Sequence, residues 1–150
     1  MKIWIERAAL ISILREAQAS IDGRETGGLL IGFEAEKGVA ITEAGKPGPE
    51  AVRRRGFFLR DLEFAERLLQ DAFLRTGAVW VGDWHTHTVS CDRPSTRDAQ
   101  SYMNLVNDEE LAFDQFIALI VTSRSGTFSD ARLAPWTACR QGLRRVDLVL

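Results

Sequence analysis

Cysteine is scarce in this sequence, which limits what can hold its fold together. The 150 residues include two cysteines, Cys91 and Cys139, far apart in the chain. Two cysteines are too few for the disulfide framework on which small secreted folds depend, so we expect reduced thiols in a cytoplasmic protein. A chain of this length can bury an apolar core without covalent links. We therefore predict a single domain over residues 1–150.

The sequence also lacks a long apolar run and a strong excess of one charge. Charged residues interrupt the apolar ones throughout residues 1–15, which fits neither a signal peptide nor a membrane span. There are 19 basic and 21 acidic residues, so no summed positive field attracts phosphate backbones. We expect neither a membrane nor a nucleic acid as partner. The basic run at residues 53–55 is either a solvated loop, the simpler interpretation, or a patch for an acidic partner.

What the sequence does contain is helical and strand patterns in irregular alternation. Apolar residues recur at helical spacing over residues 8–20, after Asp61 and after Ser95, and both of these polar residues are typical N-caps. Short apolar runs predict strands at 3–5, 27–33, 39–42, 56–59, 78–84, 116–121, 127–133 and 146–150. Because no βα unit repeats, we predict an α/β fold of the α+β type, a mixed sheet with helices packed on it. Trp80 and Trp84 are expected to share one strand face and pack in the core.

The only two histidines, His85 and His87, follow the strand predicted to be central. Alternate residues of a strand point to one face, so the two imidazoles can bind one ion. A carboxylate on the following helix could complete a three-ligand set, which leaves the fourth position of a tetrahedral zinc ion open for water. Zinc lowers the pKa of that water toward about 7, as hydrolysis at neutral pH requires.

Hydrolysis also needs a proton acceptor and a donor for the oxyanion. Glu25 precedes a strand that begins with glycines and could bring its carboxylate to the metal, while a hydroxyl such as that of Ser95 could donate to the oxyanion. Each residue has a plainer interpretation. Glu25 could be a solvated loop carboxylate, and Ser95 with Asp98 fits a helix cap, which is compatible with a role in the site. Cys91 has no free histidine to activate it, so we leave it out of the site.

The spacing of these residues resembles the signature of the JAMM (JAB1/MPN/Mov34) metalloprotease family. His85 and His87 are separated by one residue, Ser95 follows after seven more, and Asp98 follows after another two. Residues 25–32, ETGGLLIG, look like the glutamate segment that lies upstream in the family. Four chemically defined positions at the family's spacing make this resemblance specific.

The resemblance is to short prokaryotic members and extends from the first predicted helix to about Leu133. It implies a mixed, mostly antiparallel sheet flanked by helices, in the architecture shared by MPN and cytidine deaminase-like proteins. One position departs from the pattern. Thr88 stands where the family usually has proline directly after the second histidine, which bears on the path of the following loop.

The resemblance also implies roles for individual residues. His85, His87 and Asp98 would bind one zinc ion (Zn2+) per chain, with water as the fourth ligand. Glu25 would act as general acid/base, and Ser95 would donate a hydrogen bond to the oxyanion.

A substrate class follows from the same resemblance. Such enzymes hydrolyse the peptide or isopeptide bond after the C-terminal glycine of ubiquitin or a ubiquitin-like protein, in maturation or deconjugation. Some short members accompany E1-like and E2-like conjugation proteins in bacterial operons, including antiphage systems. Two other functions stay open: a non-catalytic MPN-type scaffold, which the intact ligand set argues against, and a peptidase that trims a sulfur-carrier protein. We expect an extended substrate tail along a sheet edge, with the loop at residues 45–55 as a flanking segment that becomes ordered around it.

Overall fold

A computed structural model describes all residues from 1 to 150 as three helices and ten strands. The helices are α1 (Arg7–Ala19), α2 (Leu62–Thr76) and α3 (Thr96–Asn107). The strands are β1 (Lys2–Ile5), β2 (Gly27–Ala35), β3 (Gly38–Ala44), β4 (Val52–Arg54), β5 (Phe57–Leu59), β6 (Val79–Thr86), β7 (Phe116–Thr122), β8 (Arg132–Cys139), β9 (Gly142–Arg145) and β10 (Asp147–Val149). None of the helices combines the length and the apolar character needed to cross a membrane.

Eight of the strands form one sheet in the order β10-β1-β3-β2-β6-β7-β8-β9, and β4 pairs with β5 in a separate hairpin. Neighbours in the large sheet are antiparallel in four pairs and parallel in three, namely β10 with β1, β1 with β3, and β6 with β7. The predicted mixed, mostly antiparallel sheet is confirmed. Because Val146 alone separates the edge strands β9 and β10, the two edges of the sheet meet at that residue and the sheet must curl.

Helices cover both faces of this sheet. The largest apolar cluster joins α1 to one face, which includes Leu30 of β2 and Ile117 of β7. The neighbouring residues Leu29 and Ala118 point the other way, into the clusters formed with α2 and α3 respectively. This alternation is the period of two expected of strands that are buried on both faces.

A β-bulge in β6 decides which of its side chains face α3. The register between β2 and β6 shifts by one residue at Val81, which reverses the alternation beyond that point. Trp84 therefore packs against α1, whereas Trp80 packs against α2 and α3. The prediction that these two tryptophans share a face is wrong for this reason. The bulge also brings His85 to the side of the sheet that carries α3.

The strand predicted over residues 127–133 is wrong in position. Strand β8 occupies Arg132–Cys139 instead and places Pro135 opposite Leu119 of β7. A proline normally argues against an interior strand because it lacks the N–H group, which is why the sequence pattern misses β8. The preceding turn contains Phe128, whose φ of 59° is unusual for a bulky residue and whose side chain closes the α1 cluster. The arginine-rich β4 and β9 were also not predicted from apolar runs.

We predict that Gly28 tolerates no side chain. An ideal Cβ at Gly28 would lie 2.0 Å from the Gly45 carbonyl oxygen. That oxygen is held in place by a hydrogen bond of 3.0 Å from the Trp84 indole N–H. Gly28→Ala should therefore lower the free energy of unfolding in urea by about 2–3 kcal/mol. Gly56→Ala is the control, because its Cβ would meet no atom within 4 Å. Equal losses in the two variants would contradict the packing argument.

Candidate metal centre

Strand β6 carries two imidazoles to the place where α3 begins. His85 and His87 are 6% and 7% exposed, and their Nε2 atoms lie 3.0 Å apart. Oδ2 of Asp98 lies 3.2 Å from Nε2 of His85 and 3.4 Å from Nε2 of His87. These three atoms form a triangle, which we call the donor triangle.

The donor triangle has the size that a tetrahedral zinc ion requires. Zinc bonds of about 2.0–2.1 Å at the tetrahedral angle place two ligand atoms about 3.3–3.4 Å apart. The sides of the triangle measure 3.0, 3.2 and 3.4 Å. Two imidazole nitrogens and one carboxylate oxygen are also common zinc donors, and three of them leave one position open. The residues present therefore fit zinc.

Groups behind the donor triangle orient the imidazoles. His87 Nδ1 lies 2.6 Å from the carbonyl oxygen of Cys91, and donation to that oxygen leaves the Nε2 lone pair facing the centre. The backbone N–H of His87 donates to the Val121 carbonyl at 2.9 Å. On the other ring, the Tyr102 hydroxyl lies 3.5 Å from Nδ1 of His85. Cys91 thus contributes its backbone, and both it and Cys139 are free thiols.

A capping box at the start of α3 holds Asp98. The Ser95 hydroxyl accepts a hydrogen bond from the Asp98 N–H at 3.0 Å, and Asp98 Oδ2 accepts one from the Ser95 N–H at 2.9 Å. The predicted helix cap is confirmed, and the hydroxyl hydrogen of Ser95 stays free to donate. Burial raises the pKa of the Asp98 carboxyl. When no ion is bound and the Nε2 atoms of His85 and His87 carry hydrogens, their hydrogen bonds to the carboxylate outweigh burial and bring that pKa well below its usual range.

Glu25 lies beside the two histidines at the entrance to β2. The residue is 7% exposed, so the interpretation as a solvated loop carboxylate is wrong. One of its carboxylate oxygens lies within 4.8 Å of a ring nitrogen of each histidine. Asp98 contacts both rings at 3.2 and 3.4 Å, which favours Asp98 over Glu25 as the third ligand. Burial raises the pKa of Glu25, although the imidazole charges oppose this.

The β4–β5 hairpin fixes the backbone of Glu25. The Glu25 N–H donates to the Arg54 carbonyl at 2.7 Å, and Arg53 Nε donates to the Glu25 carbonyl at 3.0 Å. Arg53 also forms an ion pair of 3.0 Å with Asp22. The basic run at residues 53–55 is therefore not simply a solvated loop, because two of its members position a candidate functional residue.

The same hairpin is tied to the loop that follows the histidines. Thr88, at the position where the resemblance expects proline, donates its hydroxyl hydrogen to the Arg55 carbonyl at 2.6 Å. The guanidinium of Arg97 in α3 lies 4.9 Å from the centroid of the Phe57 ring in β5. The hairpin therefore contacts both segments that carry the donor triangle.

A groove of about 400 Å³ leads to the donor triangle between β5 and α3. Phe57–Leu59 form one wall, and Tyr102 and Leu105 contribute to the other. Asp108, which caps the C-terminal end of α3, also lines the groove. The lining combines apolar and polar side chains, which suits a peptide segment.

An ion pair that the sequence did not reveal lies in the wall of this groove. Arg60 donates to Asp83 at 2.7 Å, the Trp80 indole N–H donates to the same carboxylate at 3.1 Å, and the guanidinium lies 4.9 Å from the centroid of the Trp80 ring. The side chains of Arg60 and Asp83 are 19% and 16% exposed. The available signal was one acidic residue inside an otherwise apolar strand, since a buried carboxylate needs a partner.

Comparison with known proteins finds one matching family and two similar bacterial proteins. A family model described as prokaryotic homologs of the JAB domain matches residues 7–135. Two similar proteins are both named CD-NTase/cGAS isopeptidase. The protein from Escherichia coli (strain TW11681) is 31% identical over 97 residues, which cover 63% of this chain and 62% of that protein. The protein from Vibrio cholerae serotype O1 is 29% identical over 90 residues, which cover 58% of each. The chain thus spans less than two thirds of the length of these relatives.

A solved structure has a similar fold. The solution structure of protein DSY2949 from Desulfitobacterium hafniense superposes on this chain with a TM-score of 0.73 and 18% identity, covering 99% of this chain and 92% of the other. At this identity the likeness shows the fold alone. It agrees with the predicted mixed sheet flanked by helices.

We predict that the Arg60–Asp83 pair stabilises the wall of the groove. Arg60→Met keeps most of the apolar stem but leaves the Asp83 carboxylate without its cation, which should cost about 2–3 kcal/mol of unfolding free energy in urea. Arg75→Met is the matched control, since Arg75 pairs with Glu43 and Asp71 but is 49% exposed. Its loss should stay below about 1 kcal/mol. A loss in Arg60→Met no larger than in the control would contradict this assignment.

Proposed function

This chain belongs to the family of prokaryotic homologues of the JAB domain, and on that premise we propose that it is a zinc-dependent isopeptidase. The observation that carries the proposal is the donor triangle of zinc size beside the buried carboxylate of Glu25. A non-catalytic scaffold has no use for two buried imidazoles and two carboxylates that converge on one point. We also propose that residues 1–150 act as one metallopeptidase domain in the cytoplasm.

Each side chain of the centre has a proposed role. His85, His87 and Asp98 would hold the ion, which when bound acts as a Lewis acid on the scissile carbonyl and lowers the pKa of water. Glu25 accepts the proton of the attacking water and then donates it to the leaving amine. The burial that raises the pKa of Glu25 stabilises its protonated form between these two transfers. The Ser95 hydroxyl donates a hydrogen bond to the developing oxyanion.

The substrate that we propose is a ubiquitin-like protein or its conjugate, cleaved after the C-terminal glycine. Such a protein presents an extended tail, and the groove between β5 and α3 leads such a segment to the donor triangle. The names of the two relatives join isopeptidase activity with a CD-NTase or cGAS protein. As the substrate we therefore favour a bacterial conjugate that contains a CD-NTase or cGAS protein and is made by E1-like and E2-like proteins. We favour it over a sulfur-carrier protein.

We propose that the tail binds by strand addition to β5. Strand β5 pairs with β4 on one edge, and its other edge has no strand partner. An extended segment in the groove can use the free N–H and C=O groups of that edge. Residues 45–55, which the sequence indicates as the flanking segment, are anchored at Gly45 by Trp84 and at Arg53 by Asp22. They do not line the groove themselves, but their strand β4 pairs with β5, which forms one wall of it.

Metal content and cleavage test the proposed centre. Wild type purified without chelators should contain about one zinc ion per chain by elemental analysis, and His87→Ala should lose both the zinc and cleavage of a glycine-terminated ubiquitin-like fusion. Glu25→Gln should keep the zinc but lose at least about 100-fold in kcat. Glu36→Gln, an exposed carboxylate in the turn between β2 and β3, is the control and should match wild type. A metal-free wild type would overturn the proposal, as would full activity of Glu25→Gln.

N-methylation of the substrate tail tests strand addition. Strand pairing uses the N–H groups of alternate residues on one side, so methylating successive tail positions one at a time should give a period of two. Methylation at every second tail position should lower kcat/KM by about tenfold, whereas methylation at the positions between them should change kcat/KM little. The matched control is a tail with alanine in place of glycine at positions distant from the scissile bond, which puts the added methyl group on Cα and keeps the N–H groups. A uniform effect of N-methylation would exclude pairing with β5.

A further inference from the structure

A second cavity opens near His87, beside the loop that follows this histidine. It encloses about 490 Å³ and shares no lining residue with the groove. It is lined by Ser90, Asp92, Thr122, Ser123, Arg124, Arg132, Leu133, Ala134 and Arg145. We call it the arginine cavity.

The arginine cavity lies next to the groups that hold His87. Ser90 and Asp92 flank Cys91, whose carbonyl oxygen accepts from His87 Nδ1 at 2.6 Å. On the adjacent strand, Thr122 directly follows the residue whose carbonyl accepts the His87 N–H. In both segments a carbonyl group, that of Cys91 or of Val121, contacts His87, and a residue next to it in sequence lines the cavity.

The charges in this cavity are unbalanced. Arg124, Arg132 and Arg145 line it together with one acidic residue, Asp92, so their formal charges sum to 3 − 1 = +2. The whole chain, in contrast, has a formal charge of −2. Arg145 pairs with Asp92 at 2.9 Å, whereas the guanidinium groups of Arg124 and Arg132 form no ion pair. Two free cations in a concave site attract an anion.

The backbone around the cavity is held in place by hydrogen bonds. The Asp130 carboxylate accepts from the Ser123 hydroxyl and from the Arg124 N–H, which fixes the loop that carries Arg124. On the opposite wall, the Asp92 carbonyl accepts from the Trp136 indole N–H at 2.9 Å. The free arginines therefore project from anchored segments, and less conformational entropy is lost when a ligand binds.

We infer that the arginine cavity binds an acidic side chain of the leaving segment, the part of the substrate that carries the released amine. This inference rests on the proposed isopeptidase function. If the tail on the acyl side occupies the groove, the leaving segment extends past His87 toward the cavity. We place this carboxylate within about three residues of the scissile lysine, a reach of about 10 Å at about 3.3–3.6 Å per residue of extended chain. A nucleic acid would need a longer basic surface than two free arginines provide.

Peptide binding tests the inference without any cleavage. A labelled lysine peptide flanked by glutamates should bind the full chain about tenfold more tightly than the same peptide with glutamines, as measured by fluorescence anisotropy. The double variant Arg124→Gln/Arg132→Gln should abolish this difference. Arg140→Gln removes an exposed arginine outside the cavity and should preserve it. Equal affinity for the two peptides in wild type, or an unchanged preference in the double variant, would overturn the inference.

Cleavage assays then separate this inference from the proposed function. Wild type should cleave a conjugate with a glutamate-flanked lysine with about tenfold higher kcat/KM than a glutamine-flanked one, and the double variant should cleave both like the poorer substrate. If the double variant cleaves the glutamine-flanked conjugate at the wild-type rate while wild type shows no preference, the isopeptidase function stands and the assignment of the cavity fails.

Discussion

One carboxylate oxygen, Oδ2 of Asp98, joins the start of α3 to the end of β6. It accepts the Ser95 N–H within the capping box and lies 3.2–3.4 Å from both imidazole nitrogens. The cap does not prevent this oxygen from being part of the donor triangle. A carboxylate oxygen has two lone pairs, so it can accept a hydrogen bond from the Ser95 N–H while it also faces the ring nitrogens. Since the capping box sets where α3 begins, it also sets the distance between the carboxylate and the histidines. The remainder of the site is arranged around that distance.

The bulge in β6 and the β4–β5 hairpin supply the other two constraints. Without the extra residue at Val81, Trp80 and Trp84 would share a face of the sheet. The side chains of β6 beyond Val81 that now face α3 would then point to the opposite face whenever Trp80 faces α2 and α3. The hairpin then positions Glu25 through the backbone contacts of Arg53 and Arg54. The proposed ligands and the proposed general base therefore come from separate segments, each fixed by main-chain hydrogen bonds, which limits how far they can drift from one another.

Local signals in the sequence were sufficient for the donor residues and for the caps. His85 and His87 alternate on a strand, and Ser95 and Asp98 form a cap that depends on four consecutive residues. Features set by distant pairing were not accessible. The bulge depends on the register between β2 and β6, the Arg60–Asp83 pair joins residues 23 positions apart, and Pro135 hides β8 because proline is disfavoured within sheets. The arginine cavity likewise combines four segments, namely the loop after β6, the end of β7 with the loop that follows it, the start of β8 and the end of β9, so no local pattern marks it.

Thr88 shows how this chain replaces local rigidity with a tertiary contact. A proline at this position would stabilise the fold through the unfolded state by about 0.4–1 kcal/mol, because it restricts the free chain. The hydroxyl of Thr88 instead forms a hydrogen bond with the Arg55 carbonyl, and such bonds contribute about 0.5–1.5 kcal/mol. The two effects are similar in size, but they act in different places. Proline would restrict only the loop after His87, whereas the threonine connects that loop to the hairpin that holds Glu25. In this chain the loop after His87 and the hairpin that positions Glu25 are therefore linked directly by this hydrogen bond.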